Sequence, residues 1–377
     1  KYLEESVAFE AEDSTLKSVA KTAITGKTLE SATDIVSQLC VDAVIRAGDA
    51  DKVRVVSLPG GSLEDSYLFN GVILSKDFTL EYDHDENTNT IILNTGLEME
   101  KSDDNVQLQD DAASYSKFKQ AGKDDLLTKA KKVVDGMGGK GIIFVRDGVH
   151  DNVCAYLKKN GIGVVSRLPE SAMRALSSAS GIPIAQTADD IAGSAKVKVL
   201  KQRHNDVEYL FVAGSIESDQ STLVLRGATQ STLDEVERGF DDALGVVSIV
   251  KDTNSVVCGG GSSYVAMASH LRSHAATIGG RAQMAIEAFA DALEVIPATV
   301  AENAGFDPLD IVLAMRTKVQ NDSLNYGPDV NEGGLIDMRA QAVFEPTRLI
   351  KQPVLSPTEV TTAILRIDDI VSRRPVE

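Results

Sequence analysis

Between Gly141 and Thr187 the apolar pattern changes period from one short segment to the next. GIIFVRDG reads as a strand, DNVCAYLKKNG as a helix closed by glycine, and GVVSRL as a strand. PESAMRALSSASG is then a helix and IPIAQT another strand. Continuous apolar strands joined by amphipathic helices of this length predict a small parallel sheet built from βαβ units. Further on, VEYLFVAGS and STLVLRGA are expected as a β-hairpin or a pair of adjacent strands.

Both flanks of this region are helical in pattern. Upstream, LKSVAKTAI and LESATDIVSQLCVDAVIRAG place Leu29, Ile35, Leu39, Val41, Val44 and Ile45 on a broad helical stripe, with ITGK as a glycine break between them. A short strand, VRVVSL, and the turn PGGS follow. Downstream, Leu233, Val236, Phe240, Leu244 and Val247 share one face of a helix. Asp307-Pro308 is an N-cap followed by proline in the first turn, and SPTE from Ser356 is a capping box that predicts a new helix carrying Val360, Ile364, Ile367 and Val371. Neither helical part is large enough to stand alone, so an α/β domain inserted into a helical one is the economical topology.

The charge balance is 38 basic against 56 acidic residues, a net of -18. Such a surface repels nucleic acid and anionic lipid. No apolar run approaches the roughly 20 residues of a membrane span, and no signal peptide can be read. Cys40, Cys154 and Cys258 are far apart and form no CxxC, as expected of reduced thiols in the cytoplasm. The scattered histidines form no zinc pattern, and the acidic run from Glu81 to Glu86 is expected to be a solvated loop.

A few segments could carry chemistry. Asp241 and Asp242 lie off the apolar stripe of their helix; a solvated acidic face is the plain explanation, a carboxylate that orients or deprotonates water the functional one. Gly259, Gly260 and Gly261 open another helix, which Ser262 could cap. That is a tight turn, or a place where a ligand approaches the backbone closely. No GxxxxGK[ST] motif occurs. The insertion from Val106 to Met137 mixes Tyr115, Phe118, Leu126, Leu127, Val133 and Val134 with charges, and either covers the sheet or presents apolar side chains to a partner.

Taken in order, FDDALGVV, CGGGSS and the alanine-rich, proline-containing FADALEVIPATVAENAG resemble the C-terminal half of group II chaperonin subunits, the thermosome and eukaryotic cytosolic chaperonin family. The resemblance extends from about Glu10 to the C-terminus. It implies a multidomain α and α/β fold: an intermediate domain in two pieces (1–66 and 221–256), an α/β apical domain (67–220) with a helical protrusion at about 106–137, and the C-terminal half of an all-α equatorial domain (257–377). Asp242 would act on the attacking water, Lys27 would sense the γ-phosphate, and Gly260, Gly261 and Glu345 would hold the nucleoside. Asp329 and Val330 would approach the base, although PDVNEGG stands where the family has an NVFTG-like stretch, and Ala23 where it usually has Ser. Tyr115, Phe118, Leu126 and Leu127 would belong to a built-in lid that meets clients.

The same resemblance implies ATP with Mg2+, unfolded protein clients, and rings of eight or nine subunits. The family's GDGTTT-type motif, which handles phosphates and magnesium in the N-terminal equatorial half, is not found in this chain. That half is therefore expected to be missing, leaving no metal ligand here and apolar faces uncovered after Gly259. The competing expectation is a protein without ATPase activity that holds unfolded chains or builds a ring or filament.

Overall fold

The computed structural model describes residues 1–26, 32–81, 87–98, 112–214 and 220–368; of residues 13 and 112–119 only the backbone is described. The chain divides into two compact units, residues 1–41 with 238–377, and residues 42–237. Lys27 and the acidic run at 82–86 lie outside the described residues.

The chain opens with β1 (Phe9–Glu10), α1 (Asp13–Ile24) and α2 (Thr33–Ala47). The second unit then builds a sheet from β2 (Arg54–Pro59), β3 (Tyr67–Leu74), β4 (Asn87–Leu93), β5 (Gly141–Val145), β6 (Ile162–Val165), β7 (Ile184–Ala185), β8 (Ala195–His204), β9 (Val207–Ala213) and β10 (Ser221–Gly227). Its helices are α3 (Ala112–Met137), α4 (Asp151–Lys159) and α5 (Glu170–Ser180). The sheet order is β2-β10-β3-β9-β8-β4-β5-β6, with β7 alongside β4. Strands β4, β5, β6 and β7 run parallel, as the βαβ pattern requires.

The sheet is larger than the alternation alone suggests, because antiparallel strands extend it. β9 and β10 are not neighbours, contrary to the sequence expectation: β3 lies between them, paired antiparallel to both. Gly71 sits within this strand at φ 138, where a Cβ would stand 2.2 Å from the Val212 carbonyl oxygen. The actual hairpin joins β8 to β9 through Asn205 and Asp206, both at positive φ, the conformation of a type I′ turn.

Side chains on the two sheet faces form separate cores. Phe144, Ile142 and Ile92 pack with Met173 and Leu176 of α5 on one side. Ile143, Val145 and Leu93 pack on the other with Val153 and Leu157 of α4 and Leu126, Ala130, Val133 and Met137 of α3. The latter half of α3 therefore covers the sheet. Leu126 is buried, and not available to a client as the lid reading assumed; its spacing to Ala130 and Val133 sets it on the core stripe. Leu127 is half-buried, while the side chains of Tyr115 and Phe118 lie outside the described set.

The first unit is mainly helical: α6 (Gln230–Thr253, shared in sequence with the second unit), α7 (Ser262–Ile278), α8 (Gly280–Asn303), α9 (Pro308–Gln320) and α10 (Thr347–Leu365). A small sheet β1-β11-β14 is formed with β11 (Ser255–Cys258) and β14 (Phe344–Pro346), and β12 (Tyr326–Pro328) pairs with β13 (Leu335–Asp337). Asp307 caps α9 as expected, accepting the Leu309 N–H at 2.8 Å. The expected helix start at Ser356 does not occur. α10 runs unbroken through Pro353 and Pro357, and the Ser356 hydroxyl instead accepts the Gln352 amide at 2.7 Å. Val360 and Ile364 remain exposed, as do Met284 on α8 and Leu309 on α9, in keeping with the expectation of uncovered apolar faces after Gly259.

Candidate functional site

Strand β11 is followed by Gly259, Gly260 and Gly261, which lead directly into α7. Gly260 (φ 64) and Gly261 (φ 76) hold the left-handed conformation that side chains other than glycine's rarely adopt. Protein atoms use the space their missing side chains leave. A Cβ at Gly260 would stand 2.6 Å from the Met338 Cε, and one at Gly261 2.7 Å from the Pro297 Cβ. Gly327 of β12 also presses on the turn, since a Cβ there would come within 2.9 Å of the Gly260 carbonyl oxygen. Ser262 does not cap α7: its hydroxyl donates to the Cys258 and Gly259 carbonyls, both at 2.9 Å, and Ser263 donates to Cys258 at 3.0 Å. The hydroxyls thus tie the turn back to the end of β11.

Glu345 lies beside this turn. It pairs with Val257 across the β11–β14 ladder, while Gly259 N–H donates to the Val343 carbonyl at 2.9 Å. A Cβ on Gly259 would stand 2.8 Å from the Glu345 Oε1. Burial pushes the Glu345 carboxyl above the ordinary glutamate range, and the hydrogen bond it accepts from Gly260 N–H only partly offsets that. Residues from β11, the β12–β13 hairpin and β14, far apart in sequence, therefore converge on one turn.

Asp329 serves its own loop. Its carboxylate accepts the N–H groups of Asn331 (3.0 Å) and Glu332 (3.2 Å), and its backbone N–H meets the Gly334 carbonyl at 3.0 Å. That arrangement leaves Val330 half exposed at the loop tip. The polar stretch PDVNEGG is thus an Asx-stabilised turn.

Asp241 and Asp242 are exposed on α6, while Phe240, Ala243 and Leu244 beside them are buried. Burial and then the Asp242 charge raise the Asp241 pKa. A cleft of about 690 Å³ runs along α1, lined by Lys17, Lys21, Thr22 and Thr25 and closed by Ala342 and Val343. Thr22 Oγ1 accepts the Phe344 N–H at 3.3 Å, which joins this wall to β14 and to Glu345. The sequence reading did not single out this lysine-and-hydroxyl face, whose signal was the spacing of Lys17, Lys21, Thr22 and Thr25 just before Gly26-Lys27.

A second cluster escaped the sequence reading altogether. Glu294 on α8 is buried and accepts hydrogen bonds from Arg272 of α7 and Arg316 of α9. Its signal was the pair Asp291 and Glu294, one turn apart on a mostly apolar helix segment. Among the described residues, no group of three or more His, Cys, Asp or Glu is arranged to hold a metal ion. No described helix is long and apolar enough to cross a membrane.

Residues 1–375 match the model of the TCP-1/cpn60 chaperonin family. The thermosome subunit of Methanopyrus kandleri is 35% identical over 96% of this chain and 69% of its own length. Thermosome subunit alpha of Halobacterium salinarum is 36% identical over 95% of this chain and 65% of its own. The chain thus spans about two thirds of the length of these curated relatives. Among solved structures, the open state monomer of a group II chaperonin from Methanococcoides burtonii is similar at a TM-score of 0.68 and 30% identity, covering 96% of this chain and 88% of that one. Motif order, fold and both kinds of comparison agree: the chain belongs to the TCP-1/cpn60 chaperonin family, on its group II branch.

Proposed function

We propose that this chain works in an ATP-driven chaperonin, a cytoplasmic double ring of eight or nine subunits per ring that encloses unfolded proteins and closes a built-in lid on ATP turnover. The observation that carries this reading is the convergence on the glycine turn. Gly260 and Gly261 let Met338 and Pro297 come close to the backbone, and Glu345 lies beside them with its pKa raised by burial. The half-exposed Val330 belongs to the hairpin whose Gly327 packs on the same turn. These are parts suited to one side of a nucleoside: an acceptor for ribose hydroxyls, a compact turn without side chains, and an apolar contact for the base. In this reading Asp329 acts by shaping the loop that presents Val330.

The phosphate end would point to α1. Its lysines and hydroxyls line a cleft, and Lys27, which follows Thr25 by two positions in the sequence, is a long-stemmed cation suited to sensing a γ-phosphate. Asp242 would take a proton from water, or hold that water in line, as its oxygen bonds to the γ-phosphorus and the bridging bond to ADP breaks. Two legs of comparable length separate Asp242 from the glycines: about 16 Å of helix to Thr253 at 1.5 Å per residue, then about 13 Å of strand. Mg2+ would supply charge neutralisation for the phosphates; no residue of this chain is assigned to hold it, and among the described residues no group of three or more His, Cys, Asp or Glu is arranged to do so. Tyr115 and Phe118, on the N-terminal half of α3, are the candidates for client contact.

Calorimetric titration with ATP tests the nucleoside assignment. The protein should bind ATP, and Glu345→Ala and Gly261→Val should each weaken binding at least tenfold, about 1.4 kcal/mol. Wild-type affinity in both variants would remove the glycine turn from the site. Suppression of client aggregation that ignores ATP would favour a holding protein without ATPase activity.

A further inference from the structure

Among the described residues, Glu294 is the only charged side chain that is fully buried, with 4% of its surface exposed. Its Oε1 accepts Arg272 Nη1 at 2.6 Å and Arg316 Nε at 2.8 Å, and its Oε2 accepts Arg272 Nη2 at 2.6 Å and Arg316 Nη2. One turn earlier, Asp291 takes a further bond from Arg272 Nη2 at 2.6 Å. A single carboxylate thus ties α7, α8 and α9 together.

A buried ion cluster adds little net stability over apolar packing of the same volume, so its contribution is sought in geometry. Three residues beyond Glu294, Pro297 lies inside α8. Without an N–H, it leaves the Leu293 carbonyl without its helical donor, and α8 is weakest at the turn the cluster spans. Pro297 is also the wall against which Gly261 packs. One turn further, Ala301 joins Val265, Ile311 and Met315 in the core of α7, α8 and α9.

We propose that Glu294 is a positioning residue for the glycine turn: by locking α8 across its proline-weakened turn, it holds Pro297 against Gly261. It thereby keeps Gly259–Gly261 in the shape in which Gly260 N–H meets the Glu345 carboxylate. The proposal rests on the assignment of this turn to the nucleoside side of an ATP site, and its test separates the two.

The test compares Glu294→Gln with wild type in the full chain, by hydrogen exchange and by ATP kinetics. Loss of the charge should speed exchange of peptides covering Val257–Tyr264 about tenfold or more, while Gly141–Val145 of the other unit keeps its protection. KM for ATP should rise about tenfold with kcat within about twofold, whereas a merely unstable variant loses active enzyme and kcat at an unchanged KM. Unchanged exchange at Val257–Tyr264 in folded protein, or a fall in kcat alone, overturns the proposal. If Glu294→Gln does not fold, Arg316→Lys, which keeps the charge but gives up the second bond, is read the same way. Absence of ATP turnover in the wild type counts against the nucleotide assignment only, and the exchange comparison still decides the positioning.

Discussion

Glu345 and Glu294 are carboxylates withdrawn from water in the same unit, yet their neighbours move them in opposite directions. Burial raises Glu345, and one backbone N–H does not compensate. For Glu294 burial pulls upward too, but hydrogen bonds from Arg272 and Arg316 outweigh it and hold the carboxyl below its ordinary value of 4.5. The signs for stability follow from linkage. The Glu294 contribution is present above about pH 4.5 and is lost as pH falls through its depressed value, whereas that of Glu345 is present below about pH 4.5 and is lost as pH rises through its raised value. Glu345→Gln should therefore raise the urea midpoint at pH 7.5, and Glu294→Gln should flatten the acid limb of the stability profile. Gly261→Ala places a Cβ on a left-handed residue and against Pro297; a loss of about 1–3 kcal/mol in urea unfolding is expected. The three glycines and Glu345 were legible as residues. Only the resemblance brought them together; the residues alone do not, because the contacts of Met338 and Pro297 join positions widely separated in sequence.

At the level of elements, period and caps placed most helices and strands, and the failures share a cause. Local pattern set β9 beside β10 and started a helix at Ser356, yet β3 pairs between the two strands and α10 continues through Pro357. Local chemistry states a preference that packing can overrule. Pro357→Ala should restore a helical hydrogen bond and strengthen α10 locally, by up to about 3 kcal/mol, seen as slower exchange of the Thr358–Ile364 amides; unchanged exchange would mean the helix is held by other contacts. Glu294→Ala should cost roughly 1–3 kcal/mol, because the half-buried guanidinium groups of Arg272 and Arg316 lose their partner. Its melting curve should show the loss.

For the whole molecule, the order helical, α/β, helical was visible in the sequence, and the family resemblance carried the rest of the architecture. The size of the sheet was not visible, since its antiparallel strands come from segments on either side of the parallel core. Large apolar side chains stay exposed on the first unit, among them Met284 at 70% and Leu309 at 65%. Exposed apolar surface of this kind drives association, so Met284→Ser with Leu309→Ser should reduce self-association in sedimentation velocity. In the proposed function, ATP turnover, with Asp242 acting on water, powers the protein's work on clients. Steady-state hydrolysis by Asp242→Ala tests it most directly: turnover should fall by about 10²–10⁴-fold while ATP still binds, and wild-type turnover in that variant would contradict it.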